Sequence, residues 1–144
     1  MKILVTGSYG QLGRSLFKYL NSNIEIFWTG RNIPLSENGF YLDICDRINL
    51  KALISLHNPD ILINLAALTN VDFCEKNSDL AREINTNGVR NICDAFKGKI
   101  VQLSTDYVFD GKNGPYIEED EVFPLSVYGK TKLEAEKIVI SHNS

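Results

Sequence analysis

A tyrosine and a lysine four residues apart, Tyr128 and Lys132, are the pair in this sequence with the clearest chemical use. On a helix, residues at this spacing lie on one face, with Cβ atoms about 5–6 Å apart. A phenol with a pKa of about 10 is a poor proton donor or acceptor at neutral pH, and a nearby lysine ammonium is expected to lower that pKa. The pair is therefore a candidate general acid/base, although this spacing also occurs by chance on exposed helices.

A glycine-rich run near the start of the chain, residues 6–13 (TGSYGQLG), is a second candidate site. It follows the apolar residues 2–5 and precedes a segment with apolar residues at helical spacing, namely Leu12, Leu16, Phe17 and Leu20. At a strand-to-helix junction, Gly7, Gly10 and Gly13 would allow a tight turn, close approach of a pyrophosphate and packing of the helix. The N–H groups of the helix N-terminus would then face the phosphates. The alternative is a glycine-rich turn without a ligand.

The elements that must position these residues alternate along the chain. Apolar runs predict strands at residues 2–5, 24–29, 40–42, 61–65 and 99–104, and amphipathic patterns predict helices at 12–20, 48–56, 78–96 and 128–139. This alternation predicts an α/β fold, a Rossmann-type doubly wound parallel sheet, in one domain over residues 1–144. The loops 7–13, 64–69 and 104–106 follow strands, so we expect all three at the same edge of the sheet.

Composition and charge exclude several classes of function. The net charge of -3 argues against a nucleic-acid-binding surface. The chain has no signal peptide and no apolar run long enough for a membrane span, so a cytoplasmic protein is expected. The odd, widely spaced Cys45, Cys74 and Cys93 suit reduced thiols better than a disulfide framework or a zinc site. With His57 and His142 as the only histidines, a catalytic cysteine is disfavoured.

The motifs together resemble a known family. The chain is similar to the N-terminal part of the extended short-chain dehydrogenase/reductases, and within them to the dTDP-4-dehydrorhamnose reductases. The Gly-Gln-Leu-Gly run and the Ser-Thr-Asp-Tyr-Val-Phe-Asp-Gly run are more specific to this group than the Tyr/Lys pair is. The matching segments are residues 6–13, 43–44, 64–72, 85–91, 103–111 and 124–133. The resemblance implies NADPH-dependent reduction of a 4-keto dTDP-sugar, dTDP-4-dehydro-L-rhamnose, in dTDP-rhamnose biosynthesis.

The resemblance also implies roles for individual residues. Tyr128 would protonate the substrate carbonyl oxygen, while Lys132 would hold the nicotinamide ribose and lower the pKa of Tyr128. Thr105 would donate a hydrogen bond to the same oxygen. Asp106 would reach the sugar, although an Asx turn explains this residue equally well. Residues that would contact the cofactor are Gly7, Gly10, Gln11, Leu12 and Gly13 near the pyrophosphate, Asp43 and Ile44 near the adenine, and Ala66, Ala67 and Leu68 after the fourth strand.

The residues after the second strand indicate which cofactor is used. An acidic residue at this place would hold a ribose 2′-hydroxyl and favour NAD. This sequence has Gly30-Arg31-Asn32 instead. Arg31 could clamp a 2′-phosphate with help from Arg14, so NADPH is favoured and NADH stays open.

Two features depart from the family pattern. The magnesium-binding, dimer-forming members carry an acidic residue early in the first helix, where this chain has Ser15, so we expect no metal and leave a homodimer open. Only residues 133–144 follow Lys132, whereas the family continues for roughly as many residues again and there supplies most of the sugar-nucleotide pocket. We therefore expect the cofactor half of the enzyme, inactive alone, in which Ile138, Val139 and Ile140 lack a layer to pack against; a fragment, a truncated chain and a genuine short protein all stay open.

Two other functions remain open at this point. One is a nucleotide-sugar epimerase or dehydratase, which keeps NAD bound throughout its cycle. The other is a non-catalytic regulatory subunit, because the β subunit of methionine adenosyltransferase is similar to this reductase family. The presence of Thr105, Tyr128 and Lys132 favours an enzyme.

Overall fold

A five-stranded parallel sheet forms the centre of the computed structural model, which describes residues 1–19, 24–34 and 38–144. The strands are β1 (Lys2–Thr6), β2 (Glu25–Gly30), β3 (Phe40–Tyr41), β4 (Ile61–Asn64) and β5 (Lys99–Gln102). Their order is β3-β2-β1-β4-β5, and every neighbouring pair is parallel. The chain thus winds outward from β1 in both directions, which confirms the predicted Rossmann-type sheet.

Helices connect the strands. They are α1 (Gln11–Tyr19), α2 (Arg47–His57), α3 (Val71–Lys76), α4 (Ser78–Arg82), α5 (Gly88–Ala95) and α6 (Val127–Asn143). A π-helical turn (Glu83–Asn87) joins α4 to α5, and a 3₁₀ turn (Asp106–Val108) follows β5. The predicted helix over residues 78–96 is therefore present but interrupted, and α3 was not predicted. The predicted helical position Leu20 lies outside the described residues.

The core lies between the sheet and the apolar faces of the helices. Leu4 and Leu62 of the central strands are fully buried, as are Leu50 of α2 and Ile92 of α5. Val139 of α6 belongs to the same cluster. The helices therefore hold the carboxyl ends of the strands in fixed positions.

The expectation of an unpacked C-terminal helix face is wrong for two of its three residues. Val139 is 5% exposed, and Ile138 is partly buried against the core, whereas Ile140 is 66% exposed. The reason is that α6 packs on α5 and β5 within this chain. Only the face that carries Ile140 remains open.

Side-chain caps fix where the helices begin. Asp46 accepts hydrogen bonds from the amides of Ile48 and Asn49 at the start of α2, and Ser126 accepts from the Gly129 amide at 3.0 Å at the start of α6. Such caps satisfy the free N–H groups of the first turn. The Ser126 cap places Tyr128 in the first turn of α6, close to the end of β5. No helix in residues 1–19, 24–34 or 38–144 is long and apolar enough to cross a membrane.

Candidate active site

The carboxyl ends of three strands are joined through one buried amide, that of Asn64. Its Oδ1 accepts hydrogen bonds from the Thr6 hydroxyl and, at 3.2 Å, from the Ala66 amide. Its Nδ2 donates to Gln102 Oε1 at 2.7 Å. Thr6, Asn64 and Gln102 are partners in the register of β1, β4 and β5. The amide therefore fixes the loops after these strands relative to one another, a role that sequence analysis missed.

The packing of the chain requires two of the three loop glycines. Gly7 has φ +65°, and a Cβ atom there would lie 2.5 Å from the Ala66 amide nitrogen. At Gly13 a Cβ would lie 2.0 Å from the Ser8 carbonyl oxygen, so α1 could not pack on the loop. At Gly10 the nearest atom would be the Gly7 oxygen, 3.4 Å away. That distance is an ordinary van der Waals contact, so packing within the chain does not require glycine at position 10.

The first turn of α1 directly follows the glycine loop and presents backbone N–H donors. The Arg14 amide donates to the Gly10 carbonyl at 3.0 Å, which starts the helical hydrogen bonds. The N–H groups before it in the first turn have no acceptor within the helix. No acidic residue stands in that turn. The end of α1 therefore offers free donors and a positive dipole to an anion.

A cavity of about 820 Å³ lies beside the glycine loop. This volume is in the range of small-molecule and cofactor sites. Ten residues predicted to contact the cofactor line it, namely Gly7, Gly10, Gln11, Leu12, Gly13, Arg31, Asp43, Ile44, Ala66 and Ala67. The predicted Leu68 is placed elsewhere, against the buried cluster of Cys74, Ala81 and Tyr128.

Arg31 lies on the wall of this cavity with Gly30 and Asn32. Its Nη1 is 3.8 Å from Asp43 Oδ2, and 55% of its side chain is exposed. Such a long, exposed ion pair contributes little to stability, so the guanidinium can turn toward an anion at small cost. Arg14, the predicted helper, instead donates from Nε to the Tyr9 carbonyl at 3.1 Å.

The three predicted catalytic residues meet at the start of α6. Tyr128 is 8% exposed and Lys132 is 3% exposed. A hydrogen bond joins the side chains of Tyr128 and Thr105, and the Tyr107 ring packs edge-on against Tyr128 with centroids 5.8 Å apart. Lys132 Nζ donates to the Leu103 carbonyl. The structure thus places a phenol, a hydroxyl and an ammonium group at the sheet edge that also carries the glycine loop.

The 3₁₀ turn after Thr105 packs against the start of α6 and so holds Thr105 near Tyr128. Tyr107 N donates to Thr105 Oγ1 at 3.2 Å, and Thr105 Oγ1 donates to Asp106 Oδ1 at 3.2 Å. A Cβ atom at Gly129 would lie 2.2 Å from the Tyr107 carbonyl oxygen, so only glycine lets the turn approach the helix. Asp106 itself is exposed beside Thr105, at the mouth of the site.

The pKa of Tyr128 is raised above its ordinary value, opposite to the predicted direction. Burial of the ring is the main cause, the hydrogen bond with Thr105 acts against it, and Cys74, Asp106 and Tyr107 raise the pKa further. Burial also lowers the pKa of Lys132 to about 8. The spacing predicted that the Lys132 ammonium lowers the pKa of Tyr128, but burial of both side chains in α6 has the larger effect.

Replacing Lys132 with Met tests this burial. The folded-state pKa of Lys132, about 8, lies below the ordinary 10.5, so the folded protein resists its charge. The destabilisation is fully present below the folded pKa and is lost as the pH rises toward the unfolded pKa. Between about pH 7 and pH 10, the free energy of unfolding should rise by about 2 kcal/mol more in the unsubstituted protein than in Lys132→Met. Urea titrations across this range measure it, and parallel curves for the two proteins would contradict the assignment.

The π-helical turn holds the loop after β4 and the start of α6 through hydrogen bonds of Asn85 and Thr86. Asn85 is 1% exposed, and its side chain accepts from the Leu68 amide at 2.7 Å and donates to the Leu68 carbonyl at 3.0 Å. It also donates to Thr131 Oγ1 at 3.1 Å, and Thr86 Oγ1 donates to the Thr131 carbonyl at 3.2 Å. The turn therefore ties the loop after β4 to the first turns of α6, which sequence analysis did not foresee.

The cysteines take no part in this arrangement as nucleophiles. All three are free thiols. Burial is the main cause that raises the pKa of Cys45 to about 12 and that of Cys93 to about 11, and it also raises that of Cys74. A protonated thiol is a weak nucleophile and metal ligand. Within the residues that the structure describes, no group of three or more His, Cys, Asp or Glu could hold a metal ion.

Comparison with known proteins gives a consistent result. The dTDP-4-dehydrorhamnose reductase of Aggregatibacter actinomycetemcomitans is 40% identical over 144 residues, which is 97% of this chain and 47% of that protein. The β subunit of methionine adenosyltransferase 2 of Rattus norvegicus is 35% identical over 99% of this chain and 43% of its own length. The crystal structure of dTDP-4-dehydrorhamnose reductase from Bacillus anthracis in complex with NADP superimposes with a TM-score of 0.88 at 33% identity, over 99% of this chain and 50% of that one.

The extent of these matches is itself a structural fact. The chain spans about half the length of the relatives it matches. The family model of the RmlD substrate binding domain matches residues 1–144, the whole chain. The chain therefore belongs to the RmlD substrate binding domain family, as the resemblance of its motifs predicted.

Proposed function

We propose that this chain is the cofactor-binding half of an NADPH-dependent reductase that converts the 4-keto group of dTDP-4-dehydro-L-rhamnose to an alcohol. The observation that carries the proposal is the meeting of Thr105, Tyr128 and Lys132 at the sheet edge beside the glycine-lined cavity. The relative from Aggregatibacter actinomycetemcomitans with this activity is 40% identical. The Bacillus anthracis relative was solved with NADP.

The residues present fit a dinucleotide. Gly10 lines the cavity, and the N–H groups at the start of α1 suit a pyrophosphate. Arg31 on the cavity wall suits a 2′-phosphate. Gln11, Leu12, Ala66 and Ala67 would contact the remainder. When bound, a reduced nicotinamide supplies the hydride.

Tyr128 would act as the proton donor. Its raised pKa keeps the phenol protonated at neutral pH, which suits an acid that protonates a carbonyl oxygen. Thr105, joined to Tyr128 by a hydrogen bond, would stabilise the negative charge that develops on the same oxygen. The Lys132 ammonium would hold the ribose hydroxyls and stabilise the phenolate left after proton transfer. Asp106 would contact the sugar.

The test of this function uses the complete natural protein that contains these residues. NADPH oxidation with dTDP-4-dehydro-L-rhamnose should proceed at ordinary enzyme rates, of order 1–10³ s⁻¹. Residues 1–144 alone should show no comparable rate, since a substrate not held in place loses about 7–11 kcal/mol of the proximity effect. If the complete protein binds neither NADPH nor NADH more tightly than millimolar, the proposal is wrong.

Replacing Arg31 with Leu should change which cofactor is preferred. A charge-assisted hydrogen bond contributes about 1.5–3 kcal/mol, so NADPH affinity should fall by about 10- to 100-fold. NADH, which lacks the 2′-phosphate, should bind nearly as before. Calorimetric titration of both cofactors measures the ratio, with Arg90→Leu on an exposed part of α5 as the matched control. Equal losses for NADPH and NADH would place the 2′-phosphate elsewhere.

A regulatory subunit is the second candidate function. It is supported by the 35% identity with the β subunit of methionine adenosyltransferase 2. In that case the protein should co-purify from its source cell with a stoichiometric partner and should not turn over a nucleotide sugar. For an epimerase or dehydratase, tightly bound NAD⁺ should co-purify instead.

Location and assembly complete the proposal. The enzyme is proposed to act in the cytoplasm on a dTDP-sugar. A homodimer stays a prediction, and light scattering on the complete protein measures it. No metal is proposed, and the reductase should keep its activity after treatment with a chelator.

A further inference from the structure

Three successive residues after β5 each contact α6. The Leu103 carbonyl accepts from an ammonium, the Ser104 hydroxyl donates to a carboxylate, and the Thr105 hydroxyl bonds with a phenol. The partners are spaced four residues apart and therefore share one face of the helix; they are Lys132 for Leu103, Glu136 for Ser104 and Tyr128 for Thr105. Two of these helix residues belong to the proposed active site, whereas Glu136 has no role in it so far.

The position of Glu136 matters because of where Lys132 lies. The Lys132 side chain is 3% exposed, and its acceptor, the Leu103 carbonyl, is uncharged. A buried charge is costly unless it has hydrogen bonds and an opposite charge nearby. Glu136 is one helical turn away, and its carboxylate opposes the effect of burial on the pKa of Lys132. Ser104 holds that carboxylate by a hydrogen bond.

The other acidic groups near this part of α6 are engaged elsewhere. Glu134 of α6 pairs with Arg82 of α4 at 2.6 Å. Glu75 of α3 accepts from the Val127 amide, and Asp106 accepts from Thr105. The Cys74 thiol of α3 is buried, with a raised pKa. Glu136 is therefore the carboxylate placed to balance the Lys132 charge.

We propose that Glu136 is a positioning residue: it fastens the segment after β5 to α6 through Ser104 and provides the counter-charge of the buried Lys132 ammonium. This inference rests on the proposed reductase function, in which a charged Lys132 stabilises the phenolate of Tyr128. Without Glu136, Lys132 loses its proton at lower pH. Turnover then falls on the alkaline side of the pH profile and is kept on the acid side.

Glu136→Gln in the complete protein tests the proposal. Removing an opposite charge one helical turn away lowers the pKa of a lysine, and we expect the alkaline limb of kcat to move about one unit lower. The same shift makes the loss of kcat about 5-fold near pH 8 and negligible near pH 6. Glu136→Asp should restore most of the profile, because it keeps the charge. Ser104→Ala should shift the limb in the same direction by a smaller amount.

The matched control is Glu134→Gln, two residues away on the same helix. It removes a carboxylate that pairs with Arg82, so it should leave the alkaline limb in place. The proposal is overturned if the alkaline limb of Glu136→Gln falls at the same pH as in the unsubstituted protein. It is also overturned if Glu134→Gln shifts the limb by as much as Glu136→Gln does. If Glu136→Gln does not fold, Ser104→Ala decides, and an alkaline limb that is unshifted in Ser104→Ala overturns the proposal.

A second readout separates this inference from the proposed function. Labelled lysine can be titrated by NMR in the same variants, with Lys132→Met assigning the signal. Glu136→Gln should lower the pKa of Lys132 whether or not the protein reduces a sugar. If the unsubstituted protein shows no turnover but this shift is seen, the proposed function fails and the pairing stands. If the unsubstituted protein turns over normally and the pKa of Lys132 is unchanged in Glu136→Gln, the pairing of Glu136 with Lys132 is wrong and the proposed function stands.

Discussion

Replacing Tyr128 with Phe is expected to lower turnover of the complete protein by about 10²–10⁴-fold, the usual contribution of a general acid. NADPH affinity should stay nearly unchanged, because the Phe ring keeps the packing of Tyr128 against Tyr107 and the buried cluster. Steady-state kinetics and cofactor titration on the same preparation measure both quantities. The change removes only the phenol oxygen that bonds with Thr105.

The control for this experiment is Tyr19→Phe. Tyr19 is 83% exposed at the end of α1, at the opposite end of that helix from the cavity. It should leave turnover and NADPH affinity as they are. If Tyr128→Phe retains turnover, another residue is the acid, and the proposed role of Tyr128 is wrong.

Gly7→Ala should be among the most destabilising single changes in the chain. Alanine at φ +65° costs about 1–2 kcal/mol. Its methyl group would also lie 2.5 Å from the Ala66 amide nitrogen, which is backbone that must move. Movement there breaks the bond from Ala66 to Asn64. We expect a total loss of about 3–5 kcal/mol in the free energy of unfolding, with loss of NADPH binding.

Gly111→Ala is the matched control for the steric part of this loss. Gly111 has φ +75°, and a Cβ atom there would meet nothing within 4 Å. It should therefore cost only the backbone contribution, about 1–2 kcal/mol. Chemical denaturation of both variants separates the two effects. Equal losses would mean that the approach of Gly7 to the loop after β4 is not what requires glycine.

The local parts of the fold could be predicted from the sequence. The strand, loop and helix at residues 2–19 carry signals within a few residues of one another, and the glycine loop was located correctly. The alternation of elements was enough to predict the parallel sheet. By contrast α3 has only six residues. Its sole local mark is the Asn70 cap, which is too short a pattern for helical periodicity to detect.

The rest of the site depends on contacts between distant parts of the chain. Asn85 bonds to Leu68 and Thr131, which are 17 and 46 residues away in sequence. No spacing of nearby residues in the sequence predicts that Asn85 makes these contacts. The pKa directions depend in the same way on burial, so the lowered pKa predicted for Tyr128 from its spacing to Lys132 differs from the raised pKa of the buried phenol.

The π-helical turn Glu83–Asn87 supports the site but interrupts a regular helix. A π-turn holds one residue more than an α-turn, and it is less favourable than regular helix. Deleting one residue there would let α4 and α5 continue as one regular α-helix. The same deletion would rotate Asn85 by about 100° relative to α5 and release Leu68 and Thr131. Selection for a more stable helix and selection for a fixed active site therefore act in opposite directions at this turn, so a stabilised variant with this residue deleted should be a poorer enzyme.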